Sequence, residues 1–254
     1  MTTSGATPTN CYAWLCSCRL FRMGRRLASV LTAALFPPRC ALCSHELSCM
    51  GIICSCCEAA LPSLAESRCQ RCGEPLDDPS IDLCLRCGVS VHATDRIIVL
   101  GPYRGSWGAL VRIFKFEKEV AVGNWLGRQM AATLMRQQEL HHFDAVTYVP
   151  MTRKDRRARG FNQAEILARV IARQLDLPLK RLLTKSRNTR LQSQLTAAQR
   201  KTNLQDAFRL LPFDCERVLL VDDIFTTGST IEECARTLKR GGAQTVVAAA
   251  IARA

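Results

Sequence analysis

From Ile97 onward, short unbroken apolar runs alternate with stretches of helical spacing. Ile97-Ile-Val-Leu100, Ala145 to Val149 and Val218 to Val221 are β-branched or leucine-rich runs of strand length, the pattern of strands buried on both faces of a parallel sheet. Between them, Leu110, Val111 and Phe114, then Trp125, Leu126, Met130 and Leu134, recur at helical intervals after Gly105. The same period returns at Ile166, Leu167, Val170, Ile171 and Leu175, predicting a helix from Asn162 to Leu175. A helix from Ile231 to Arg240 stopped by Gly241-Gly242, and a last strand from Thr245 to Ile251, complete the alternation. Strand–helix alternation of this kind predicts an α/β domain around a mainly parallel sheet.

The chemistry gathers where the strand Val218 to Val221 runs into Asp222-Asp223 and then Thr226-Thr-Gly-Ser-Thr230 at the start of a helix. In open α/β sheets the ligand crevice lies outside the carboxyl ends of the strands, so the two carboxylates face a ligand there. Hydroxyls, the permissive Gly228 and backbone N–H groups at a helix N-terminus suit a phosphate, and paired carboxylates suit a vicinal diol. A plain strand–turn–helix with Ser229 or Thr230 as N-cap is the alternative. It leaves unexplained why two mutually repelling carboxylates stand together. Asp222 to Thr230 resembles the phosphoribosyl-pyrophosphate (PRPP) motif of type I phosphoribosyltransferases. That resemblance implies that Asp222 and Asp223 hold ribose hydroxyls and that Thr226, Thr227, Gly228, Ser229 and Thr230 hold the 5′-phosphate.

Ahead of this domain, Cys40-x-x-Cys43, Cys54-x-x-Cys57, Cys69-x-x-Cys72 and Cys84-x-x-Cys87 supply the thiolates of two structural zinc sites of four cysteines each. Four thiolates close a tetrahedral shell, so these sites are expected to be structural rather than catalytic. Gly73 and Gly88 are expected to give each knuckle its tight turn. Sequential pairing and a cross-brace that exchanges the middle pairs are both open, and Cys49 and Cys56 are spare thiols. Disulfides compete as an explanation, but nothing else in the chain has a secreted character. Cys215 and Cys234 are expected to pack in the interior, and Cys11, Cys16 and Cys18 form no comparable set.

Charge singles out one region of the 254-residue chain. Between Pro150 and Lys201 stand fourteen Lys or Arg against three Asp or Glu, which accounts for eleven of the chain's thirteen net positive charges. The densest part, Arg153 to Arg159, follows the strand that ends at Val149-Pro150 and so belongs near the crevice of Asp222 and Asp223. Such charge suits a departing pyrophosphate, with Arg153, Lys154 and Arg200 as candidates; it also suits a solvated face or a single-stranded nucleic acid. Phe161 is the lone aromatic inside the run, which makes stacking a minor part of the nucleic-acid case.

From about Phe36 onward the chain resembles the ComF/GntX family of competence-associated, phosphoribosyltransferase-like proteins. The resemblance is carried by the cysteine pairs, Tyr103-Arg-Gly, Phe114-Lys115-Phe116, Val149-Pro150, Arg159-Gly160-Phe161-Asn162-Gln163-Ala164, the spaced set Gln192, Leu195, Arg200, Asn203 and Phe208, and the acidic motif. Leu191 departs from it, standing where a proline is common. The resemblance implies a type I phosphoribosyltransferase-like parallel sheet flanked by helices, preceded by a small four-cysteine zinc-binding module. The expected divisions are a basic extension over 1–36, a double zinc-binding module over 37–90 and the phosphoribosyltransferase-like domain over 91–254.

Two functions are expected from these features. One is an enzyme of the phosphoribosyl-transfer type that takes PRPP with Mg2+ at the crevice, Lys115 approaching the site by resemblance. The other is a single-stranded-DNA-binding or adaptor component of DNA uptake, whose zinc module docks a competence helicase. A zinc module of fewer than a hundred residues is too short for a glutaminase, so the family label amidophosphoribosyltransferase implies only its phosphoribosyl half. No apolar stretch reaches the roughly 20 residues of a membrane span, and a cytoplasmic location is expected. Arginines 22, 25 and 26 before Leu27 to Phe36 imitate a signal peptide, but Pro37-Pro38 follows without a cleavage site; a helix that packs or touches the inner membrane surface fits better.

Overall fold

The computed structural model describes residues 37–47, 51–62, 67–137, 142–185 and 207–254. The chain divides into two compact units, Met1–Cys54 and Ser55–Ala254. Within the larger unit, helix α1 (Ser55–Ala59) and helix α2 (Leu85–Val89) belong to the cysteine-rich part. Strand β1 (Arg96–Pro102) then leads to α3 (Ser106–Arg112), a π-helical turn over Ile113–Glu117, and α4 (Val120–Met135). Next come β2 (Ala145–Tyr148), α5 (Arg153–Arg159), α6 (Gln163–Gln174), β3 (Leu183–Lys185), β4 (Phe208–Leu210), β5 (Arg217–Phe225), α7 (Ser229–Arg240) and β6 (Thr245–Arg253).

Four strands form one sheet in the order β1-β6-β5-β2, every neighbouring pair parallel; β3 and β4 form a separate antiparallel ribbon. The two inner strands carry the most continuous apolar runs. Val218 to Val221 and Val246 to Ala252 are buried throughout, as strands covered on both faces must be. Alanine favours strands weakly, yet Ala248-Ala-Ala250 lies in β6, where pairing to β1 and β5 overrides local preference. Each fully buried leucine in β5 contributes about 2 kcal/mol by leaving water, so Leu220→Ala would cost about 2–5 kcal/mol.

Helix α6 packs on β2, β5 and α4, while α7 packs on β4, β5 and β6. The α4–α6 contact is close because Gly127 faces Val170; a Cβ there would stand 2.8 Å from the valine side chain. The cysteine-rich segment from 67 to 90 is docked on the sheet. Ile97 of edge strand β1 donates its backbone N–H to Arg71 O at 2.7 Å. The connection that follows is held on α7: Glu232 accepts from the Ala93 N–H at 2.7 Å and from the Thr94 hydroxyl, and lies 3.3 Å from His92 Nδ1. One residue further, Asp95 pairs with Lys239 at 2.9 Å.

Candidate phosphoribosyl crevice and metal centres

Strand β5 outruns its neighbour. Its pairing with β2 ends at Val221, whereas the strand continues to Phe225, so Asp222 and Asp223 stand beyond the carboxyl end of β2. The acidic pair therefore lies within the strand, not after it as the apolar run alone suggested, while keeping the expected side of the sheet. A crevice of about 190 Å³ opens there, lined by Lys115, Asp222 to Thr226, Gly228, Thr230 and Ile231. Lys115 reaches Asp223 with its ammonium 3.0 Å from Oδ2, both side chains largely buried. The π-helical turn directs that lysine: Phe114 is fully buried against Phe161, ring centroids 5.6 Å apart, and Lys118 closes the turn in the left-handed region at φ 62°.

Desolvation, followed by the negative charge of Asp223, pushes the Asp222 carboxyl up to about 8; Lys115 opposes the rise. The Asp223 N–H donates to Asp222 Oδ1 at 2.9 Å and orients it. A proton thus rests on a pair that cannot ionise fully without a polar or cationic partner.

In the loop, Gly228 adopts φ 77° and is itself the N-cap of α7, with no side-chain cap. The alternative in which Ser229 or Thr230 caps the helix does not hold: Ser229 already lies in the first turn, and its hydroxyl is 2.9 Å from that of Thr227. The helix end therefore presents backbone N–H groups and hydroxyls together, an arrangement suited to an anion.

The basic residues are only partly drawn in. Helix α5 begins soon after β2 ends, on the carboxyl side of the sheet, but Arg153 and Lys154 are exposed on it and do not line the crevice. Arg156 is engaged with Glu165 at 3.3 Å. Arg200, Gln192 and Asn203 lie outside the described residues, as do Leu191, Leu195, Cys49 and the 1–36 extension. The Arg159 to Gln163 motif joins elements. Gly160 ends α5 at φ 88°, and Asn162 caps α6 through Ala164 N while donating to Val149 O at 3.0 Å. Gln163 is buried, and its Nε2 atom has no hydrogen-bond partner among the described residues.

Lys185 was not anticipated. It ends β3, packs with its ammonium 5.8 Å from the Phe208 ring centroid, and is held below the ordinary lysine range by burial, against the charges of Asp155, Cys234 and Asp222. Three-residue strands leave no periodicity in the sequence, so nothing there marked it. A larger cleft of about 470 Å³ between the 67–82 segment and β1 includes Arg68, Arg96 and Arg136 but lacks the acidic pair.

The eight paired cysteines gather as Cys40, Cys43, Cys54, Cys57 and as Cys69, Cys72, Cys84, Cys87, the sulfurs of each set within 4.8 Å of one another. The pairing is sequential and not a cross-brace. Cys43–Cys54 and Cys72–Cys84 sulfurs lie 3.7 and 3.8 Å apart. Tetrahedral zinc with bonds of about 2.3 Å separates its sulfurs by about 3.8 Å, whereas a disulfide needs about 2.05 Å. These donor sets fit structural zinc. Burial raises the Cys40 thiol, but N–H groups of Cys43, Cys54 and Leu42 outweigh it and bring the thiol to about 6, favouring the thiolate a metal requires. Gly73 makes the expected turn at φ 71°; Gly88 instead continues α2, so the tight-turn role fails there. Cys56 is exposed and outside both sets, while Cys215 and Cys234 are buried as expected.

Residues 31–92 match the double zinc ribbon domain and residues 162–254 match the phosphoribosyl transferase domain. A DNA utilization protein of Salmonella typhimurium, YhgH, is 34% identical over 83% of this chain and 94% of its own length. Competence protein F of Haemophilus influenzae is 30% identical over 80% of this chain and 90% of its own. The chain belongs to the ComF/GntX family. Its member ComFC of Bacillus subtilis, a competence protein, is 24% identical over 75% of the chain and 79% of that protein. Among solved structures, the chain is similar to glutamine PRPP amidotransferase of B. subtilis, at TM-score 0.35 and 20% identity, over 52% of this chain and 27% of that one. It is also similar to orotate phosphoribosyltransferase of Aeropyrum pernix, at TM-score 0.30 and 21% identity, over 54% of this chain and 60% of that one. The ComF/GntX assignment thus rests on the sequence relatives. Among the described residues no helix is long and apolar enough to cross a membrane.

Proposed function

We propose that the crevice binds the phosphoribosyl group of PRPP with Mg2+ and that the chain transfers it to an acceptor, in a cell process tied to DNA uptake or utilisation. The observation that carries this reading is the desolvated Asp222–Asp223 pair facing Gly228 and the N-terminus of α7 across one small crevice. Asp222 and Asp223 accept from the ribose diol, and Thr226 to Thr230 take the 5′-phosphate. Lys115, already paired with Asp223, lies within the crevice, where its cation can answer charge developing on pyrophosphate. Mg2+ would supply the remaining counter-charge on the pyrophosphate oxygens. Calorimetric titration of zinc-replete protein with Mg2+–PRPP is the test: wild type binds, and Asp222→Asn/Asp223→Asn binds at least tenfold more weakly. A folded wild type that takes up no PRPP would refute the reading.

The names of the competence and DNA-utilization relatives, and the exposed basic face of α5, favour a second activity beside the first. Arg153, Lys154, Arg157 and Arg159 would contact the backbone of single-stranded DNA, with the zinc ribbons docking a helicase of the uptake machinery. Affinity should fall linearly with salt on logarithmic axes and lose part of that slope in Arg153→Ala/Arg157→Ala. Salt-independent binding would exclude it.

A further inference from the structure

A short series of contacts joins the second zinc set to the phosphate loop. Arg253, at the end of β6, donates from Nη1 to the backbone carbonyl of the zinc ligand Cys72 at 2.7 Å and pairs with Glu74 one residue past the knuckle. The β5–β6 register sets Arg253 beside Phe225, and the guanidinium lies 4.9 Å from the centroid of that ring. Phe225 is 2% exposed, and its ring fills the space against Gly228: a Cβ on the glycine would meet it at 2.6 Å. Arg253 has a side chain only 9% exposed, so it cannot exchange these partners for water at little cost.

From this geometry we infer that Arg253 is a positioning residue through which the second zinc ribbon and the phosphate loop support each other. The inference rests on the crevice reading above. The Cys72 carbonyl and Glu74 are fixed by the knuckle, whose turn closes with Gly73 N–H donating to Cys69 O at 2.8 Å. When zinc leaves, four thiols no longer share a centre and the turn relaxes. Arg253 then loses a carbonyl and a carboxylate together. A buried guanidinium without partners moves, and Phe225 loses the cation lying over its ring. The left-handed Gly228 and the N–H groups behind it then lose the packing that fixes their direction. Reciprocity follows from linkage: a phosphate held by the loop fixes Phe225 and Arg253 and so retains zinc. A merely structural ion pair would stabilise the fold without tying the two ligands together.

The test measures the zinc affinity of the full chain by equilibrium competition with a chromogenic chelator, with and without saturating Mg2+–PRPP, after calorimetry has established whether PRPP binds. In wild type the ligand should tighten zinc binding at one site about fivefold or more, within the usual range of coupling between sites. Arg253→Met and Phe225→Leu should each remove that tightening; Phe225→Leu keeps the Arg253–Cys72 bond and so guards against simple loss of the ribbon, and Arg253→Lys should restore part of the effect. Wild type that binds Mg2+–PRPP yet holds zinc with unchanged affinity overturns the coupling and leaves the crevice reading standing. Tightening that persists in both folded variants also overturns it. Wild type that binds no PRPP overturns the crevice reading and the coupling with it.

Discussion

Neutralising Asp222 should stabilise the protein, and by an amount that depends on pH. Its carboxyl is pushed from 3.8 to about 8, first by desolvation and next by Asp223. A raised folded pKa on an acid means that the native state holds a proton the unfolded chain has released. Stability therefore falls as pH climbs from about 4 to about 8 and levels off above that. At about 1.4 kcal/mol per pKa unit the whole interval amounts to about 6 kcal/mol, an upper bound because water entry and movement of Lys115 relieve part of it. Asp222→Asn removes the titration while keeping side-chain size and polarity, so a gain of about 1–3 kcal/mol at pH 8 is expected, or roughly 3–10 °C in Tm for a protein of this size. Thermal melts of both proteins between pH 6 and 9 test this in the range where the zinc thiolates persist. The Tm difference should grow from pH 6 to 8 and then stay level. A difference that ignores pH, or a variant that melts below wild type at pH 8, would show that the acidic pair is not strained by its surroundings. A stabilised variant that has lost PRPP binding would be the usual exchange of stability for a preorganised site.

Three further outcomes follow from the same geometry. Because Asp222 must ionise to accept from a diol, Mg2+–PRPP binding at pH 7 should release up to about one proton per site, seen as a dependence of calorimetric heat on buffer ionisation enthalpy and absent in Asp222→Asn. Gly228→Ala places a Cβ 2.6 Å from the Phe225 ring at φ 77°, so it should cost about 1–3 kcal/mol in urea unfolding and weaken phosphate binding more than tenfold. Metal analysis of native protein should return two zinc ions per chain, and Cys69→Ser or Cys87→Ser should lose one of them while Cys56→Ser loses none.

What the sequence made legible follows from which forces act over short stretches of chain. Val218 to Val221 and Val246 to Ile251 declare themselves because a strand covered on both faces has no polar positions to interrupt it. The cysteine pairs declare the zinc sites because each knuckle is local, though only the fold chooses sequential pairing over a cross-brace. Lys115 illustrates the opposite case. Its segment keeps helical spacing in the apolar residues, yet the chain widens into a π turn at Ile113–Glu117, and the extra residue per turn rotates the lysine away from where an α-helical wheel would draw it. Such turns concentrate where a side chain is re-aimed, and here it is aimed at Asp223. Lys185 and Arg253 were illegible for a different reason: each gains its surroundings from strands distant in sequence, Lys185 from Phe208 across the β3–β4 ribbon and Arg253 from Phe225 across β5–β6. Both lie beside the acidic strand or its loop, and both are cations shielded from water. Long-range pairing thus places Lys185 where the charge of Asp222 reaches it and Arg253 behind the loop, while Lys115 beside Asp223 and the proton that Asp222 retains let the two carboxyl groups stand side by side in a desolvated crevice.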